Sequence, residues 1–267
     1  MARKTIFITG GASGIGRAVA ERFGRECWFV GLADIDEPGM RQTAALLPAG
    51  ASSIHRLDVR DREAWDAALS ACAAAAGGRI DVVFNNAGIP LGGAVIENTP
   101  AEIERCLDIN LKGVLFGAQA AYPWLKASAP SSCLLNTASA AGIYGTPGAS
   151  VYSATKFGVR AITESLDTEW AGDGIKVASL MPGFIDTPLI DKSPNAATNE
   201  GIRERVTAAG LEITPVSAVA DAAWKAVHGN ALHVRVGKTA HRAAFFARWL
   251  PGAIRKRGKT MARPLGE

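Results

Sequence analysis

Short apolar runs alternate with helix-like segments along most of the chain. Runs of β-branched, aromatic and other apolar residues predict seven strands, at residues 4–9, 27–33, 53–59, 82–84, 133–137, 176–181 and 232–236. Between them, a period near 3.6 predicts helices over residues 17–25, from 37, 61–76, 101–126, from 152 to about 170, and 218–227. This alternation predicts an α/β fold, a doubly wound parallel sheet of about seven strands in a single domain, residues 1–267.

Candidate ligand-binding residues follow the strands directly, and ligands of doubly wound sheets bind beyond the carboxyl ends of the strands. After the first strand come Gly10, Ser13, Gly14, Ile15 and Gly16. Glycines there let the backbone approach a pyrophosphate, and the following helix offers unpaired N–H groups and the positive end of its dipole. The alternative is an ordinary glycine turn.

The second strand is followed by Asp34 and Ile35. A carboxylate at this place can accept hydrogen bonds from the hydroxyls of an adenosine ribose and repels a 2′-phosphate, so it favours NAD over NADP. Asp36 is a rival for this role, and either acid could instead cap the helix that begins near Glu37.

Tyr152 and Lys156 are four residues apart in a predicted helix, a spacing that places both side chains on one face. A free phenol titrates near pH 10, so an ionised tyrosine at neutral pH needs about 3 to 4 kcal/mol of stabilisation. A desolvated lysine and a bound cationic cofactor could supply it. The alternative is an ordinary pair on a helix surface.

Two segments depart from regular helical patterns. Asn110 and Gly113 lie in the middle of a predicted helix, where both are locally unfavourable and so indicate a packing need or a functional kink. Residues 189–214 are interrupted by Pro194, Asn195, Asn199 and Gly201. That segment is predicted to be mobile, with one short helix, and its position after the sixth strand suits a substrate lid.

Composition narrows the class of protein. With 267 residues, 48% hydrophobic and 20% charged, the chain resembles a soluble globular protein, and we expect neither a signal peptide nor a membrane span. The cysteines are Cys27, Cys72, Cys106 and Cys133, and neither they nor the four histidines form a metal-ligand spacing. We therefore expect reduced thiols, no metal site and a cytoplasmic location.

The net charge of +4 is concentrated at the C-terminus. Residues 233–267 hold nine Lys/Arg and one acid, which leaves 20 bases and 24 acids in the rest of the chain. This distribution argues against a nucleic-acid partner for the main body and confines any anionic partner to the tail.

The basic C-terminal extension, residues 238–267, carries an amphipathic helical stripe. The stripe consists of Phe245, Phe246, Trp249 and Leu250, with arginines on either side. Packing in a subunit interface or over a substrate pocket is the favoured interpretation, and contact with a membrane surface is the alternative. Disorder beyond Pro251 is a further alternative.

Together these motifs resemble the short-chain dehydrogenase/reductase family over residues 3 to about 237. The matching motifs are Thr9-Gly10-x-x-x-Gly14-x-Gly16, Asn85-Asn86-Ala87-Gly88, Asn110, Ser139 thirteen residues before Tyr152, Tyr152-x-x-x-Lys156 and Pro182-Gly183-x-x-x-Thr187. The resemblance implies a Rossmann-type fold, a nicotinamide cofactor and hydride transfer. Family members that prefer NADP often carry a base just before the middle glycine or after the second strand, where this chain has Ser13 and Asp34-Ile35.

The resemblance also implies roles for individual residues. Tyr152 is the implied general acid/base and Ser139 holds the substrate oxygen. Lys156 binds the nicotinamide ribose and lowers the pKa of Tyr152, and Asn110 anchors a water of a proton relay. The implied cofactor contacts comprise Asp58 and Val59 near the adenine, Asn86, Ala87 and Gly88 along the cofactor, and Pro182, Gly183, Ile185 and Thr187 toward the carboxamide.

The sequence therefore predicts an NAD-dependent oxidoreductase of secondary alcohols and ketones. Its predicted pocket wall is apolar and comprises Ile89, Pro90, Leu91, Ile143, Tyr144, Phe184, Leu189 and Ile190. Such a wall suits a steroid-like, retinoid-like, aromatic or lipid alcohol. Two alternatives stay open: a non-catalytic dinucleotide-binding or scaffold protein of the same fold, and a membrane-peripheral retinoid- or steroid-type dehydrogenase docked by its tail.

A homodimer or homotetramer is expected from the helices around Asn110 and Tyr152. Family resemblance places a subunit contact on these two helices. Their apolar content also exceeds what one sheet contact hides, to judge from Ala118, Ala121, Tyr122, Phe157 and Trp170.

Overall fold

The computed structural model describes residues 3–197 and 201–261, and most strands in this part of the chain form one parallel sheet. The strands are β1 (Thr5–Thr9), β2 (Phe29–Asp34), β3 (Ser52–Arg56), β4 (Val82–Asn85), β5 (Cys133–Thr137), β6 (Lys176–Pro182), β7 (Phe184–Ile185), β8 (Ile213–Thr214) and β9 (His233–Val236). Seven of these described strands make the main sheet, in the order β3-β2-β1-β4-β5-β6-β9, while β7 and β8 pair separately. The predicted doubly wound Rossmann-type sheet is confirmed.

The strand order reverses between β1 and β4, so the loops that follow these two strands diverge and leave a crevice at their carboxyl ends. In the pairing register Phe7 of β1 lies between Gly31 of β2 and Val83 of β4. All five residues of β1 are buried because helices cover both faces of the sheet.

Ten helices are described, and they surround the sheet. They are α1 (Gly14–Arg25), α2 (Glu37–Ala45), α3 (Arg62–Ala75), α4 (Pro100–Leu107), α5 (Gly113–Ala127), α6 (Ser150–Glu169), α7 (Ile202–Ala208), α8 (Val216–His228), α9 (Lys238–Trp249) and α10 (Pro251–Met261). Alternate residues of β1 face opposite sides: Ile6 and Ile8 pack with Phe23 of α1, while Phe7 packs with Trp65 of α3. The helices thus fix the sheet from both sides.

The boundaries of two strands differ from the prediction. Strand β2 starts at Phe29 rather than residue 27, since Cys27 has a left-handed φ of 61° and belongs to a turn. Strand β3 ends at Arg56 rather than Val59. After the end of β3, the carboxylate of Asp58 accepts hydrogen bonds from the backbone and side chain of Arg60.

The helix predicted over residues 101–126 changes its hydrogen-bonding pattern in the middle. A π-helical turn, Asp108–Lys112, separates α4 from α5, and Asn110 lies in it. A π turn inserts one residue into the helical repeat and often marks a functional site. The predicted kink at Asn110 therefore takes this form.

The alternative of disorder beyond Pro251 does not hold for residues 251–261, which form a helix. Pro251 opens α10, a position that suits proline because the first helical N–H has no intrahelical partner. Residues 262–267 lie outside the described residues, as does Asn199. In the segment 189–214 the one helix that is described is α7, and β8 ends the segment by pairing with β7.

Most of the stripe predicted on the C-terminal extension is exposed. Phe245, Trp249 and Leu250 are 55%, 65% and 47% exposed, and Phe246 is half-buried. For the three exposed residues the interpretation that the stripe packs over the chain's own substrate pocket is wrong, while a subunit interface stays a prediction.

Candidate active site

The glycine loop after β1 has no room for side chains. Gly10 has a φ of 69°, and a Cβ there would lie 2.9 Å from Nδ2 of Asn86. A Cβ on Gly16 would overlap the carbonyl oxygen of Gly10, so α1 can start this close to β1 only with glycine. Ser13 is exposed at the N-terminus of α1 and Ile15 is half-buried behind it. The loop brings backbone N–H groups of a helix N-terminus to the crevice.

Asp34 and Asp36 have different partners. Oδ2 of Asp34 accepts from the backbone N–H of Ala12 in the glycine loop, at 3.2 Å. Oδ1 of Asp36 instead accepts from the N–H of Gly39 at 3.0 Å and caps α2. Asp36 is thus the helix cap, and Asp34 lies beside the glycine loop with the exposed Ile35 after it.

Asp58 and Val59 follow β3 at the outer end of the crevice. The Arg60 guanidinium donates to both carboxylate oxygens of Asp58, with a shortest distance of 2.6 Å, and this lowers the pKa of Asp58. Val59 is buried and touches Gly113, where a Cβ would come within 2.9 Å of Val59 Cγ2. The loop after β3 is therefore fixed against the start of α5.

Asn86 ties three strands together at the centre of the sheet. Its Nδ2 donates to the carbonyl of Thr9 at 3.0 Å, and its Oδ1 accepts from the hydroxyl of Thr137 at 3.1 Å. Oγ1 of Thr9 in turn accepts from the N–H groups of Asn86 and Ala87. Thr9 and Thr137 carry no role in the sequence-based prediction, although each is the last residue of its strand. A hydroxyl at that position is the signal that could have identified them.

Asn110 is fully buried and is paired with the backbone of Ile89. Its Oδ1 accepts from Ile89 N–H and its Nδ2 donates to Ile89 C=O, both at 2.8 Å. Oδ1 is also 3.2 Å from the position that a Cβ of Gly88 would take. Nδ2 lies 3.5 Å from the Sγ of Cys106, a buried thiol that the sequence-based prediction does not single out. The π turn thus holds the loop after β4.

Lys156 and Tyr152 project from the first turns of α6 toward the carboxyl end of β5. Lys156 is buried, its Nζ donates to the carbonyl of Thr137 at 2.8 Å, and it lies 5.6 Å from the ring centroid of Tyr152. Nζ is also 3.8 Å from the Cβ position of Gly88. The predicted surface alternative for this pair is wrong for Lys156, because its ammonium is desolvated among the loops after β4 and β5.

Ser139 caps the short turn that follows β5. Its Oγ accepts from the N–H of Ala141 at 3.1 Å and lies 3.5 Å from the carbonyl of Pro182. Gly142 in the same turn lets α6 approach closely, since a Cβ there would lie 2.6 Å from the carbonyl of Lys156. Ser139 therefore lies between the ends of β5, β6 and the start of α6.

Burial shifts the pKa values of the Tyr152–Lys156 pair in opposite directions. Desolvation raises the pKa of Tyr152 to about 12, against a hydrogen bond with Ser139 that lowers it. Desolvation lowers the pKa of Lys156 to about 8. The lowered phenol pKa that the resemblance implies is therefore not a property of the polypeptide alone, because burial disfavours the charged form of each group.

The segment after β6 returns the chain to the glycine loop. Pro182 ends β6, and Gly183 lies against Thr239 of α9, with 3.1 Å between its Cβ position and the Thr239 Cβ. Ile185 is buried in β7, and Thr187 comes within 3.3 Å of the Cβ position of Gly14. The Pro182–Thr187 motif and the glycine motif thus meet across the crevice.

Three loops converge at Gly92, beyond the catalytic candidates. A Cβ on Gly92 would lie 2.7 Å from Pro194 Cβ and 3.2 Å from the carbonyl oxygen of Gly148. These loops follow β4, β5 and β6 and carry all eight residues of the predicted apolar wall. Leu91 and Ile190 are buried and the other six are half-buried.

Residues 3–197 and 201–261 contain free thiols but neither a candidate metal site nor a helix that could span a membrane. The cysteines, all within these ranges, are free thiols, and Cys27 is exposed. Within the same ranges no group of three His, Cys, Asp or Glu residues is placed to hold a metal ion. No helix there has the length and apolar character needed to cross a membrane.

Comparison with known proteins finds a family and several relatives. Residues 4–198 match the family model described as short chain dehydrogenase. Meso-2,3-butanediol dehydrogenase of Serratia marcescens is 34% identical over 191 residues, 72% of this chain and 75% of that protein. 3beta-hydroxysteroid dehydrogenase 1 of Eggerthella lenta is 33% identical over 251 residues, 88% of this chain and 94% of that protein.

Solved structures agree with these relatives. Levodione reductase superimposes with a TM-score of 0.81 at 28% identity, covering 90% of this chain and 98% of its own. A short chain dehydrogenase/reductase from Burkholderia phymatum, in complex with NAD, gives 0.82 at 27% identity, with 96% and 95% covered. Both likenesses extend over nearly the whole chain.

Proposed function

The chain belongs to the short-chain dehydrogenase/reductase family of oxidoreductases, and from this premise we propose that it transfers a hydride between NAD(H) and a hydrophobic secondary alcohol or ketone. One observation carries the proposal: Lys156 is desolvated beside the Tyr152 ring, with Gly88 next to its ammonium. Burying a lysine ammonium against a backbone carbonyl is costly unless the lysine serves a ligand or a reaction.

The crevice fits a dinucleotide. Glycines at residues 10 and 16 let the loop after β1 turn closely into α1, whose N-terminal N–H groups could bind a pyrophosphate, and the remaining predicted contacts lie at the same edge of the sheet. When bound, the nicotinamide cofactor supplies the hydride acceptor or donor. Lys156 would hold the nicotinamide ribose, and Thr187 and Ile185 would lie toward the carboxamide.

Residues of this chain bind the reacting oxygen of the substrate and transfer its proton. In the direction of alcohol oxidation, the phenolate that Tyr152 would form when NAD is bound takes the hydroxyl proton of the alcohol on its Oη, while Ser139 Oγ holds the oxygen on which negative charge develops. Lys156 and Asn110 position the groups around Tyr152, and Asn110 is proposed to anchor a water. In reduction the same phenol returns a proton to the carbonyl oxygen.

We assign NAD rather than NADP. Asp34 supports this assignment, because its carboxylate lies against the glycine loop and would repel a 2′-phosphate. Asp36 does not compete, since it caps α2. The Burkholderia phymatum structure, which contains NAD, is consistent with the choice.

The apolar wall supports a hydrophobic substrate. The three loops that converge at Gly92 carry apolar residues toward Ser139 and Tyr152, and the Eggerthella lenta relative is named for a 3beta-hydroxysteroid. Residues 189–214 are the proposed lid. Arg203 in this segment pairs with Asp186 at 2.7 Å and with Asp191 at 2.5 Å, so the lid is anchored close to the Pro182–Thr187 motif.

The free thiols support a cytoplasmic location, where cysteines stay reduced. Oligomerisation as a homodimer or homotetramer remains part of the proposal.

A screen of secondary alcohols tests the function. Purified protein is mixed with NAD or NADP and a panel of steroid, aromatic, lipid and short aliphatic alcohols, and the absorbance of the reduced cofactor is followed. We expect reduction of NAD with at least one bulky apolar alcohol. Faster reduction of NADP than of NAD would contradict the cofactor assignment, and turnover of none of the alcohols would favour a non-catalytic dinucleotide-binding protein.

A further inference from the structure

Helix α9 and the residue that follows it leave three large apolar side chains exposed, while Phe246 is half-buried. Phe245, Trp249 and Leu250 are exposed, and we call these three residues the aromatic face. On the opposite side Ala240 is fully buried. A helix that packs only on its own chain is expected to do the reverse, because burying an aromatic ring stabilises far more than burying a methyl group. Contiguous exposed apolar residues of this kind mark interaction sites.

The chain segment that carries the aromatic face is strongly basic. Residues 233–261 contain eight Lys/Arg and neither Asp nor Glu. The helical spacing places Arg242 and Arg248 on either side of the aromatic face, and the Arg248 guanidinium lies 5.3 Å from the ring centroid of Trp249. Arg255 and Arg257 are exposed on α10. The surface therefore combines an apolar centre with a basic border.

This surface lies beside the substrate loops. A Cβ on Gly258 of α10 would contact the Pro147 ring at 3.4 Å, and Thr239 of α9 contacts Gly183 after β6. Pro147 belongs to the loop after β5, next to Gly148 at the convergence of the three loops. Whatever covers the aromatic face is thus close to the entrance of the proposed active site.

We propose that the aromatic face docks the protein on an anionic lipid surface, with the basic residues of α9 and α10 facing the headgroups. Aromatic residues at the apolar boundary and arginines at the headgroups are the two contributions that hold an interfacial helix. A second copy of this chain fits less well, because a symmetric contact would bring two borders of like charge together. Docking here would admit membrane-dissolved alcohols of the class proposed above directly to the substrate loops.

Vesicle sedimentation of the full chain tests the proposal. The vesicles contain either phosphatidylcholine mixed with phosphatidylglycerol or phosphatidylcholine alone. We expect binding to the anionic vesicles that weakens with added salt, and on the order of tenfold weaker binding for Trp249→Ala. Leu46→Ala is the matched control, since Leu46 is 56% exposed at the end of α2, and it should bind like the unchanged protein.

The melting temperature and the mass in solution distinguish docking on a membrane from packing in a subunit contact. Because Trp249 is exposed, its replacement should leave the melting temperature of the lipid-free protein unchanged, and light scattering should give the same mass for both proteins. Equal binding to both vesicle types, or unchanged binding of Trp249→Ala, would overturn the proposal. A smaller mass for Trp249→Ala would assign the aromatic face to a subunit contact instead. Since no readout uses catalysis, failure here is distinct from failure of the proposed reaction.

Discussion

Asp34 and Asp36 are the same residue type two positions apart, and their hydrogen bonds give them separate roles. Asp34 reaches back across the crevice to Ala12, whereas Asp36 reaches forward to Gly39 at the start of α2. Sequence position alone left both acids as candidates for the ribose and for the cap. Their different partners provide a matched pair of substitutions.

Asp34→Ala should reduce the preference for NAD over NADP by about tenfold or more, because the ribose loses an acceptor and a 2′-phosphate loses its repulsion. Asp36→Ala should leave that preference unchanged and lower the free energy of unfolding by about 1 kcal/mol through loss of a helix cap. Values of kcat/KM for both cofactors and denaturant titrations measure the two effects. Altered selectivity in Asp36→Ala with none in Asp34→Ala would reverse the assignment.

The raised pKa of Tyr152 links cofactor binding to pH. Burial raises it to about 12, and the positive charge of oxidised nicotinamide should lower it, so binding of NAD releases a proton. A ligand whose binding releases a proton binds more tightly as pH rises, here below a pH of about 12. Calorimetric Kd values for NAD in wild type and Tyr152→Phe should therefore diverge with rising pH, with the wild type tighter. Parallel pH profiles would contradict the linkage.

At the scale of elements, the π turn between α4 and α5 positions the side chain of Asn110 and leaves space beside Gly113. Asn110 in the turn satisfies both backbone groups of Ile89, and Gly113 directly after it makes room for Val59. Through these contacts one helix positions the loops after β3 and β4 together. The unfavourable residues in this helix are explained by what they contact.

Gly113→Ala tests the fit of this element. Alanine is the better helix former by about 0.5–1 kcal/mol, yet its Cβ would lie 2.9 Å from Val59 Cγ2. We expect net destabilisation by about 1–3 kcal/mol, measured by urea unfolding. Gly252→Ala on α10 is the control. A Cβ at Gly252 would meet open space, so this substitution should leave the free energy of unfolding unchanged or raise it slightly. A stabilised Gly113→Ala would show that Val59 yields easily.

For the whole molecule, the subunit contact expected on the helices around Asn110 and Tyr152 needs a different set of residues from the predicted one. Ala118, Ala121 and Trp170 are buried within the chain, and Tyr122 is half-buried and donates to Asp173. Of the predicted set, Phe157 is exposed, and Leu107 and Leu115 are further large apolar side chains exposed on these helices. They lie on α4, α5 and α6, and we propose that they take part in the subunit contact.

Leu115→Glu should lower the mass of the protein in solution, because a charge would be buried in the subunit contact. Leu115 is 43% exposed, so the isolated chain should tolerate the change. Leu46→Glu on α2 serves as the control and should keep the wild-type mass. Light scattering at micromolar concentration measures both, and a monomeric wild-type protein would contradict the expected oligomer.

The sheet was predictable because its central strands are buried apolar runs that end at polar or glycine motifs, as Thr9 of β1 and Asp34 of β2 illustrate. The motif residues were predictable as a group for the same reason, since parallel strands bring their carboxyl ends to one edge. Three features were not predictable from the sequence. The π turn leaves the helical period nearly intact, the pKa of Tyr152 depends on burial, and the third feature is the packing of the C-terminal extension. A stripe of aromatics in the sequence does not say which side of α9 faces the protein.

Turnover by Tyr152→Phe tests the central claim most directly. With an alcohol that the wild type oxidises, the variant should lose turnover by a factor on the order of one hundred or more, because the phenol oxygen that takes the alcohol proton is absent. Its affinity for NAD, measured at a pH low enough to keep the phenol protonated in the cofactor complex, should stay within about twofold of the wild type. Equal turnover by the two proteins would remove Tyr152 from the reaction and contradict the proposed function of the site.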